Sequence, residues 1–197
     1  MTRPQQIAVI VLAAGASRRL GVPKQLLLYQ GTTLVRRTVE TVLLSKVNSV
    51  HVVFGFKAEK MKTEIADLPV HTIVNPNWQK GIGTSIRSGI QSIKPNIDAA
   101  LIVLCDQPKL SVDILNRLIE TYHATRAPIV ACKYAGTVGV PTIFDHCIFP
   151  ELLSLKGNHG AKRIIERHTR ESIEIEFYGG EIDIDTAADQ KQISGTR

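Results

Sequence analysis

The chain has 197 residues, of which 44% are hydrophobic and 21% are charged, as is usual for globular proteins. Its net charge is +6, but the basic residues are spread along the chain and only 5% of residues are aromatic. This pattern disfavours nucleic acid as a partner and favours small polyanions. No apolar run reaches the roughly 18 residues that a membrane span needs, so we expect no membrane partner. We therefore expect one domain over residues 1–197 and a cytoplasmic location.

The first strand and the loop after it carry the strongest signal. Residues 7–12 are six apolar residues without alternation, which is typical of a central strand covered on both faces of a parallel sheet. The loop that follows is small and basic. Its small residues allow main-chain N–H groups to approach an anion, while Arg18, Arg19 and Lys24 supply positive charge. The sequence therefore predicts a triphosphate site at the carboxyl end of this strand.

The spacing of the loop excludes two common nucleotide motifs. Gly15 and Gly21 are too far apart for a dinucleotide fingerprint, and Lys24 follows the second glycine by three residues, unlike a P-loop lysine. A glycine-containing turn with a basic rim and no ligand is the alternative interpretation.

Strands and helices are predicted to alternate after the loop. Apolar periodicity predicts a helix over 33–44, a strand over 49–54, a helix over 57–66 and a strand over 70–74. This alternation is typical of βαβ units and predicts a mainly parallel sheet. A further helix should begin near Thr84 or Ser85, either of which is an expected N-cap.

A second long apolar run, residues 99–104, ends at Cys105-Asp106-Gln107-Pro108. A carboxylate at the carboxyl end of a central strand lies where α/β sheets open to ligand, so we expect Asp106 to hold Mg²⁺. A turn-forming aspartate before Pro108 is the alternative. The three cysteines, Cys105, Cys132 and Cys147, form no C-x-x-C pair and are expected to be reduced thiols.

The second half continues the same alternation. The pattern predicts a helix over 112–124 capped by Ser111, a strand over 128–133, a loop or hairpin over 134–144 and a half-exposed strand over 172–177. Between them, the glycines around Asn158 and His159 suggest a second anion-binding turn. A plain surface role for His159 is the alternative.

Five separated segments resemble those of the MobA-like nucleotidyltransferase family. They are L-A-A-G-x-S-x-R-x-G-x-x-K from Leu12, N-x-x-W-x-x-G-x-x-x-S-I from Asn75, G-x-P-x-I-F from Gly139, F-x-x-L-x-x-L-x-G-N-x-G-A-K from Phe149, and D-I-D-T from Asp183. The resemblance implies a three-layer α/β/α Rossmann-like fold with a mainly parallel, mixed sheet. It also implies an enzyme that transfers a nucleoside monophosphate from a triphosphate to a phosphorylated acceptor and releases pyrophosphate.

The resemblance also assigns roles to residues. Catalysis would depend on Arg18, Lys24 and Asp106, and the cofactor would be Mg²⁺ held by Asp106 with Asp183 or Asp185. Asn158 stands where the family usually has Asp, which removes a carboxylate from that segment. The nucleotide-binding residues would be Leu12, Ala13, Ala14, Gly15, Ser17, Arg18, Lys24, Gly81, Thr84, Ser85 and Asp106, and the acceptor-binding residues Gln107, Pro108, Gly139, Pro141, Asn158, His159 and Gly160.

Two positions point to one branch of the family. Ala14 stands where guanylyl-transferring relatives usually have a second glycine, and Gln107 stands where they usually have Met. The resemblance thus favours CTP as donor, molybdopterin as acceptor, and a molybdoenzyme as downstream partner. The alternatives are a guanylyltransferase or a sugar- or isoprenoid-phosphate nucleotidyltransferase, and a pterin-binding chaperone without turnover. The enzyme hypothesis requires Lys24 and Asp106 to face one another across a shared cleft.

Overall fold

The computed structural model describes residues 5–17 and 22–183. The strands are β1 (Ile7–Ala13), β2 (Leu28–Tyr29), β3 (Thr32–Thr33), β4 (Ser49–Phe54), β5 (His71–Val74), β6 (Ala99–Leu104), β7 (Ile129–Tyr134), β8 (Thr137–Asp145) and β9 (Ser172–Glu176). The α-helices are α1 (Leu34–Leu43), α2 (Ala58–Glu64), α3 (Ile82–Ser92), α4 (Val112–Thr125), α5 (Phe149–Ser154) and α6 (Lys162–Arg167). Short 3₁₀ turns cover Lys24–Leu26, Trp78–Lys80 and His146–Ile148.

Seven strands form one sheet in the order β5-β4-β1-β6-β8-β7-β9. Within this sheet β8 runs antiparallel to β6 and β7, and the other neighbouring pairs are parallel. The reversal follows from the β7–β8 turn, in which Ala135 and Gly136 both have positive φ (47° and 73°), as tight hairpins require. The expected mixed, mainly parallel sheet and the hairpin alternative for 134–144 are therefore confirmed.

Helices cover both faces of the sheet, which explains the unbroken apolar runs of β1 and β6. Val9 and Val11 pack in the core under α1, α2 and α4, whereas Ile10 and Leu12 pack in the core under α3, α5 and α6. Side chains of a strand alternate between faces, so only a strand covered on both sides is apolar throughout. The predicted three-layer α/β/α architecture is confirmed.

Local signals located most elements correctly. The Ser111 hydroxyl accepts a hydrogen bond from the N–H of Ile114 and caps α4, as expected. The cap expected at Thr84 or Ser85 is wrong, because α3 begins at Ile82 with Gly81 as its N-cap. Cys105, Cys132 and Cys147 are all free thiols, and the last is exposed. Within the described ranges, no helix has the length and apolarity needed to cross a membrane.

Candidate active site

A cavity of about 440 Å³ opens at the carboxyl ends of β1 and β6. Leu12 and Leu104 are direct neighbours in the parallel register, so the segments that follow them are brought together at this edge of the sheet. The start of α3 closes the opposite side. The lining residues are Leu12, Ala14, Gly15, Ala16, Ser17, Lys24, Gln25, Trp78, Gln79, Gly81, Ile82, Ser85, Leu104, Cys105, Asp106 and Asn158.

An ion pair between Lys24 and Asp106 crosses this cavity. The Lys24 Nζ donates to Asp106 Oδ2, and both side chains are largely buried, with 20% and 14% of their surfaces exposed. The other carboxylate oxygen, Asp106 Oδ1, is buried and has no hydrogen-bond partner among the described residues. A buried carboxylate oxygen without a partner is costly. The pair thus faces a shared cavity, as the enzyme hypothesis requires, with one oxygen left to accept a further donor or cation.

The loop after β1 is held by two hydrogen bonds to the Lys24–Leu26 turn. The Ser17 hydroxyl accepts from the N–H of Lys24 at 3.0 Å, and the buried Gln25 amide donates to the carbonyl of Gly15 at 3.0 Å. Ser17 takes a positive φ of 48°, a conformation that costs free energy in residues other than glycine. These contacts fix Lys24 beside the loop, so its amine reaches Asp106 from a defined position.

Buried polar side chains support the start of α3. The Asn75 amide donates to the hydroxyls of Thr84 (2.8 Å) and Ser85 (3.0 Å), and its oxygen accepts from the N–H of Asn77. The Thr84 hydroxyl in turn donates towards the carbonyls of Asn77 and Gly81. Thr84 therefore lies beneath the cavity wall, while Gly81 and Ser85 line it.

Gly81 lies very close to the segment at 157–158. A Cβ atom on Gly81 would lie 2.3 Å from Asn158 Oδ1 and 2.5 Å from the Gly157 carbonyl, and the φ of Gly81 is +110°. The first turn of α3 is tied to the same segment, because the N–H of Gly83 donates to the Gly157 carbonyl at 3.0 Å. Glycine at position 81 is thus required by both backbone conformation and space.

A second cavity of about 210 Å³ adjoins the first. The two share Leu12, Ile82 and Leu104 as walls. The second cavity is mainly apolar, and its polar side chains are those of Tyr134, Thr137 and Lys162. Its lining residues are Leu12, Ile82, Ile86, Ile102, Leu104, Tyr134, Thr137, Val138, Gly139, Val140, Gly160, Ala161 and Lys162.

Gln107 ties together the segments around both cavities. Its buried amide donates to the carbonyls of Val140 (3.1 Å) and Gly180 (3.0 Å), which joins the residue after Asp106 to β8 and to the segment before Asp183. Burial raises the pKa of Tyr134 to about 12, and the charges of Asp183 and Asp106 contribute to this shift. Both carboxylates therefore lie within electrostatic reach of one hydroxyl.

The carboxylate oxygens at this site are suitable ligands for a hard divalent cation, but within the described part of the chain they do not form a site made entirely of protein ligands. Among the described residues no three His, Cys, Asp or Glu side chains cluster tightly enough to hold a metal. Mg²⁺ usually takes one or two carboxylates and completes its shell with water and phosphate oxygens, so Asp106 with one further carboxylate would suffice. Cys105 also lines the cavity, but burial and the adjacent Asp106 charge raise its pKa, which keeps the thiol protonated and unreactive.

Several residues assigned by resemblance do not line either cavity. Ala13 is fully buried in the core under α1. Side chains alternate along β1, so Ala13 lies on the opposite face of the sheet from Leu12, which lines the cavity. Gln107 and Pro108 are also buried, and the Gln107 amide is used in main-chain hydrogen bonds rather than towards an open pocket. Thr84 and Pro141 are buried outside the cavity walls, and His159 is exposed beside Arg163. Arg18 and Asp185 lie outside the described residues.

Most of the other predicted residues line the cavity in which they are expected, and one lines the other cavity. Leu12, Ala14, Gly15, Ser17, Lys24, Gly81, Ser85 and Asp106 line the first cavity, and Gly139 and Gly160 line the second. Asn158, expected on the acceptor side, lines the first cavity instead. Trp78, Gln25 and Tyr134 were missed. Each has a local signal in the sequence. Trp78 is the tryptophan of the N-x-x-W-x-x-G segment, and Gln25 follows Lys24. Tyr134 lies at the end of a strand, before a tight turn.

Comparison with known proteins identifies the family of this chain. Residues 9–172 match the family described as MobA-like NTP transferase domain. The chain is 32% identical over 160 residues to nicotine blue oxidoreductase of Paenarthrobacter nicotinovorans, covering 78% of each protein. It is 32% identical over 176 residues to the purine catabolism protein PucB of Bacillus subtilis (strain 168), covering 84% of this chain and 83% of that one.

Solved structures give the same result for the fold. Rv0371c of Mycobacterium tuberculosis H37Rv superposes with a TM-score of 0.86 and 28% identity, covering 98% of this chain and 99% of that one. A second structure, of the Rv0371c complex with manganese, has a TM-score of 0.84 and 27% identity and covers 98% and 100% of the two chains. The nucleotidyltransferase fold expected from the sequence is confirmed.

Gly81→Ala should destabilise the protein more than Gly31→Ala does. Both glycines have positive φ, but a Cβ at Gly31 meets nothing within 4 Å, whereas one at Gly81 collides with the 157–158 segment. Gly81 has φ 110° and ψ 170°, a backbone region that is almost restricted to glycine, so the additional loss of about 2 kcal/mol combines backbone strain with the collision. Chemical denaturation of both variants provides the comparison, and equal losses would contradict a close contact between α3 and 157–158.

Proposed function

This chain belongs to the MobA-like NTP transferase family, and we propose that it transfers CMP from CTP to a phosphorylated acceptor, molybdopterin, with release of pyrophosphate. One observation carries the proposal: the Lys24–Asp106 pair lies beside a loop of small residues in a cavity of about 440 Å³, a volume suited to a small-molecule ligand. We propose further that residues 1–197 act as one catalytic domain.

The proposed reaction is an in-line displacement at the α-phosphorus of the triphosphate. A phosphate oxygen of the acceptor forms the new P–O bond as the bond to pyrophosphate breaks. The acceptor phosphate is already ionised near neutral pH, so no side chain has to remove a proton. Lys24 would donate hydrogen bonds to the phosphate oxygens, where negative charge is redistributed in the transition state. Arg18 is proposed to assist from the same loop.

A divalent cation is proposed as cofactor, held by Asp106 with Asp183 or Asp185 as a second carboxylate. The Lys24 amine occupies Oδ2 of Asp106, and the buried Oδ1 has no partner among the described residues, so a cation can bind without displacing the lysine. A divalent cation held there would supply positive charge that stabilises the triphosphate and the leaving pyrophosphate. The manganese complex of the related Rv0371c supports a divalent metal here.

The adjoining cavity is proposed to receive the acceptor. Its shared walls with the first cavity would bring an acceptor phosphate next to the α-phosphorus, and Lys162 could pair with that phosphate. Gly139 and Gly160 would lie against the acceptor, and Asn158 against the nucleotide. The apolar surface of Ile82, Val138 and Val140 suits a flat ring system rather than a sugar.

Asp106→Asn should lower kcat/KM for nucleotidyl transfer by about 100-fold or more, because it removes the charge that holds both the cation and Lys24. Asp113→Asn, which removes an exposed carboxylate on α4, is the matched control and should leave turnover unchanged. Pyrophosphate release measures both. A non-catalytic chaperone predicts that Asp106→Asn keeps ligand binding and cellular function, so that result would contradict an enzyme.

Incubation with CTP, Mg²⁺ and molybdopterin should yield the cytidine dinucleotide and pyrophosphate, with kcat/KM for CTP above that for GTP. Chromatography of the products identifies the acceptor. Preference for GTP, or for a sugar or isoprenoid phosphate acceptor, would move the chain to another branch of the family. The name of the related nicotine blue oxidoreductase also calls for a test of NADH and NADPH consumption, which we expect to be absent because the loop lacks a dinucleotide fingerprint.

A further inference from the structure

A separate cavity of about 420 Å³ opens at the opposite end of the sheet from the proposed active site. Gln6 lines it and immediately precedes β1, whereas the loop of the first cavity follows β1. A strand of this length separates the two sites by about 20 Å. The lining residues are Gln6, Asn48, Ser49, His51, His71, Ile73, Ser92, Lys94, Asn96 and Ile97.

Three basic side chains face this cavity. His51 on β4 and His71 on β5 are direct neighbours in the parallel register, with ring centroids 4.9 Å apart. Lys94 follows α3 and is exposed at the rim. Burial and, to a smaller extent, the positive charges of His71 and Lys94 together lower the pKa of His51 to about 4. The surroundings of His51 thus disfavour a further positive charge, a condition that a bound anion would relieve.

The hydrogen bonds of His51 define its tautomer. The Ser92 hydroxyl donates to the Gly89 carbonyl at 2.7 Å, so at 2.9 Å from His51 Nδ1 it must accept the ring N–H. His51 Nε2 is then left to accept from the Ser49 hydroxyl at 3.1 Å. Protonation of Nε2 would reverse that bond and release the Ser49 proton for another acceptor. His51 and Ser49 can therefore supply an additional donor when an anion binds.

The remaining polar groups of the cavity are consistent with a donor-rich site. The Asn48 oxygen accepts from the N–H of Ile7 at 2.7 Å, which leaves its amide N–H groups as donors. One carboxylate oxygen of Asp98, the residue after Ile97, accepts from the N–H of Gln6 at 2.8 Å. A cation would meet Lys94 and His71, so the charge distribution favours the opposite sign of ligand.

We propose that this cavity binds a small oxyanion of the phosphate class, held by Lys94, His71 and the Ser49 hydroxyl. Ile73 and Ile97 would contact the organic part of a phosphate ester, and the cavity is large enough for such a ligand. The site is separate from the proposed transfer reaction and does not depend on it.

Histidine NMR can test the proposal with inorganic phosphate as the probe. The full chain contains six histidines, so ring-labelled protein gives few signals, and His71→Gln assigns the key pair. Phosphate should shift the His51 and His71 signals saturably, while those of His123 and His146 stay unchanged. Sodium chloride at matched ionic strength should produce no such shift. Absence of saturable shifts, or equal shifts with chloride, would overturn the proposal.

The variant Lys94→Gln provides the second measurement. It should weaken phosphate binding about tenfold, because it removes a charge-assisted hydrogen bond. Lys60→Gln removes an equally exposed positive charge on α2 and should leave binding unchanged. Both side chains are exposed, so both variants should fold. Equal affinity in Lys94→Gln and Lys60→Gln would contradict the site, and neither variant should change nucleotidyl transfer.

Discussion

The contact between Lys24 and Asp106 joins residues 82 positions apart and depends on the neighbouring parallel strands β1 and β6. Because the strands run in the same direction, the basic loop that follows β1 and the acidic turn that follows β6 lie at the same edge of the sheet. Taking both charges out of water offsets much of their attraction, so the pair contributes little net stability. The pair matters for chemistry, because it holds in one cavity a fixed amine and a carboxylate of which only one oxygen accepts a hydrogen bond from the described residues.

The antiparallel strand β8 determines what surrounds that pair. The tight β7–β8 turn returns the chain against β6, which places Val140 and Tyr134 beside the segment that follows Asp106. Gln107 then joins this strand to Gly180 by its two amide hydrogen bonds. The buried Gln107 side chain thus connects the turn at the first cavity to the strand that lines the second cavity and to the segment before Asp183. Replacement of Gln107 would remove the side-chain donor to the Gly180 carbonyl, a loss typically of about 1–3 kcal/mol, whereas the Val140 carbonyl would keep the Tyr134 hydroxyl as a donor.

Much of the fold could be predicted from the sequence because its signals are local. The apolar runs of β1 and β6, the amphipathic face of α1 and the Ser111 cap of α4 depend on near neighbours in the chain. The position of Asp106 opposite Lys24 also followed, since strand ends in a parallel sheet share an edge.

The remaining features depend on distant contacts that carry no local pattern. Thr84 was expected to cap a helix, but the buried Asn75 amide recruits its hydroxyl, and the helix begins earlier at a glycine whose conformation only tertiary packing explains. The family resemblance assigns Gln107 to the acceptor, yet its amide donates to main-chain carbonyls 33 and 73 positions away. The pairing of His51 with His71 likewise became visible only in the sheet register.

A crystal structure of the protein with CTP and Mn²⁺ tests the central claim most directly. The account predicts an anomalous manganese signal in contact with Asp106 and triphosphate oxygens within hydrogen-bonding distance of Lys24, both inside the cavity between the β1 loop and α3. Manganese away from Asp106, or a triphosphate bound elsewhere on the protein, would contradict it.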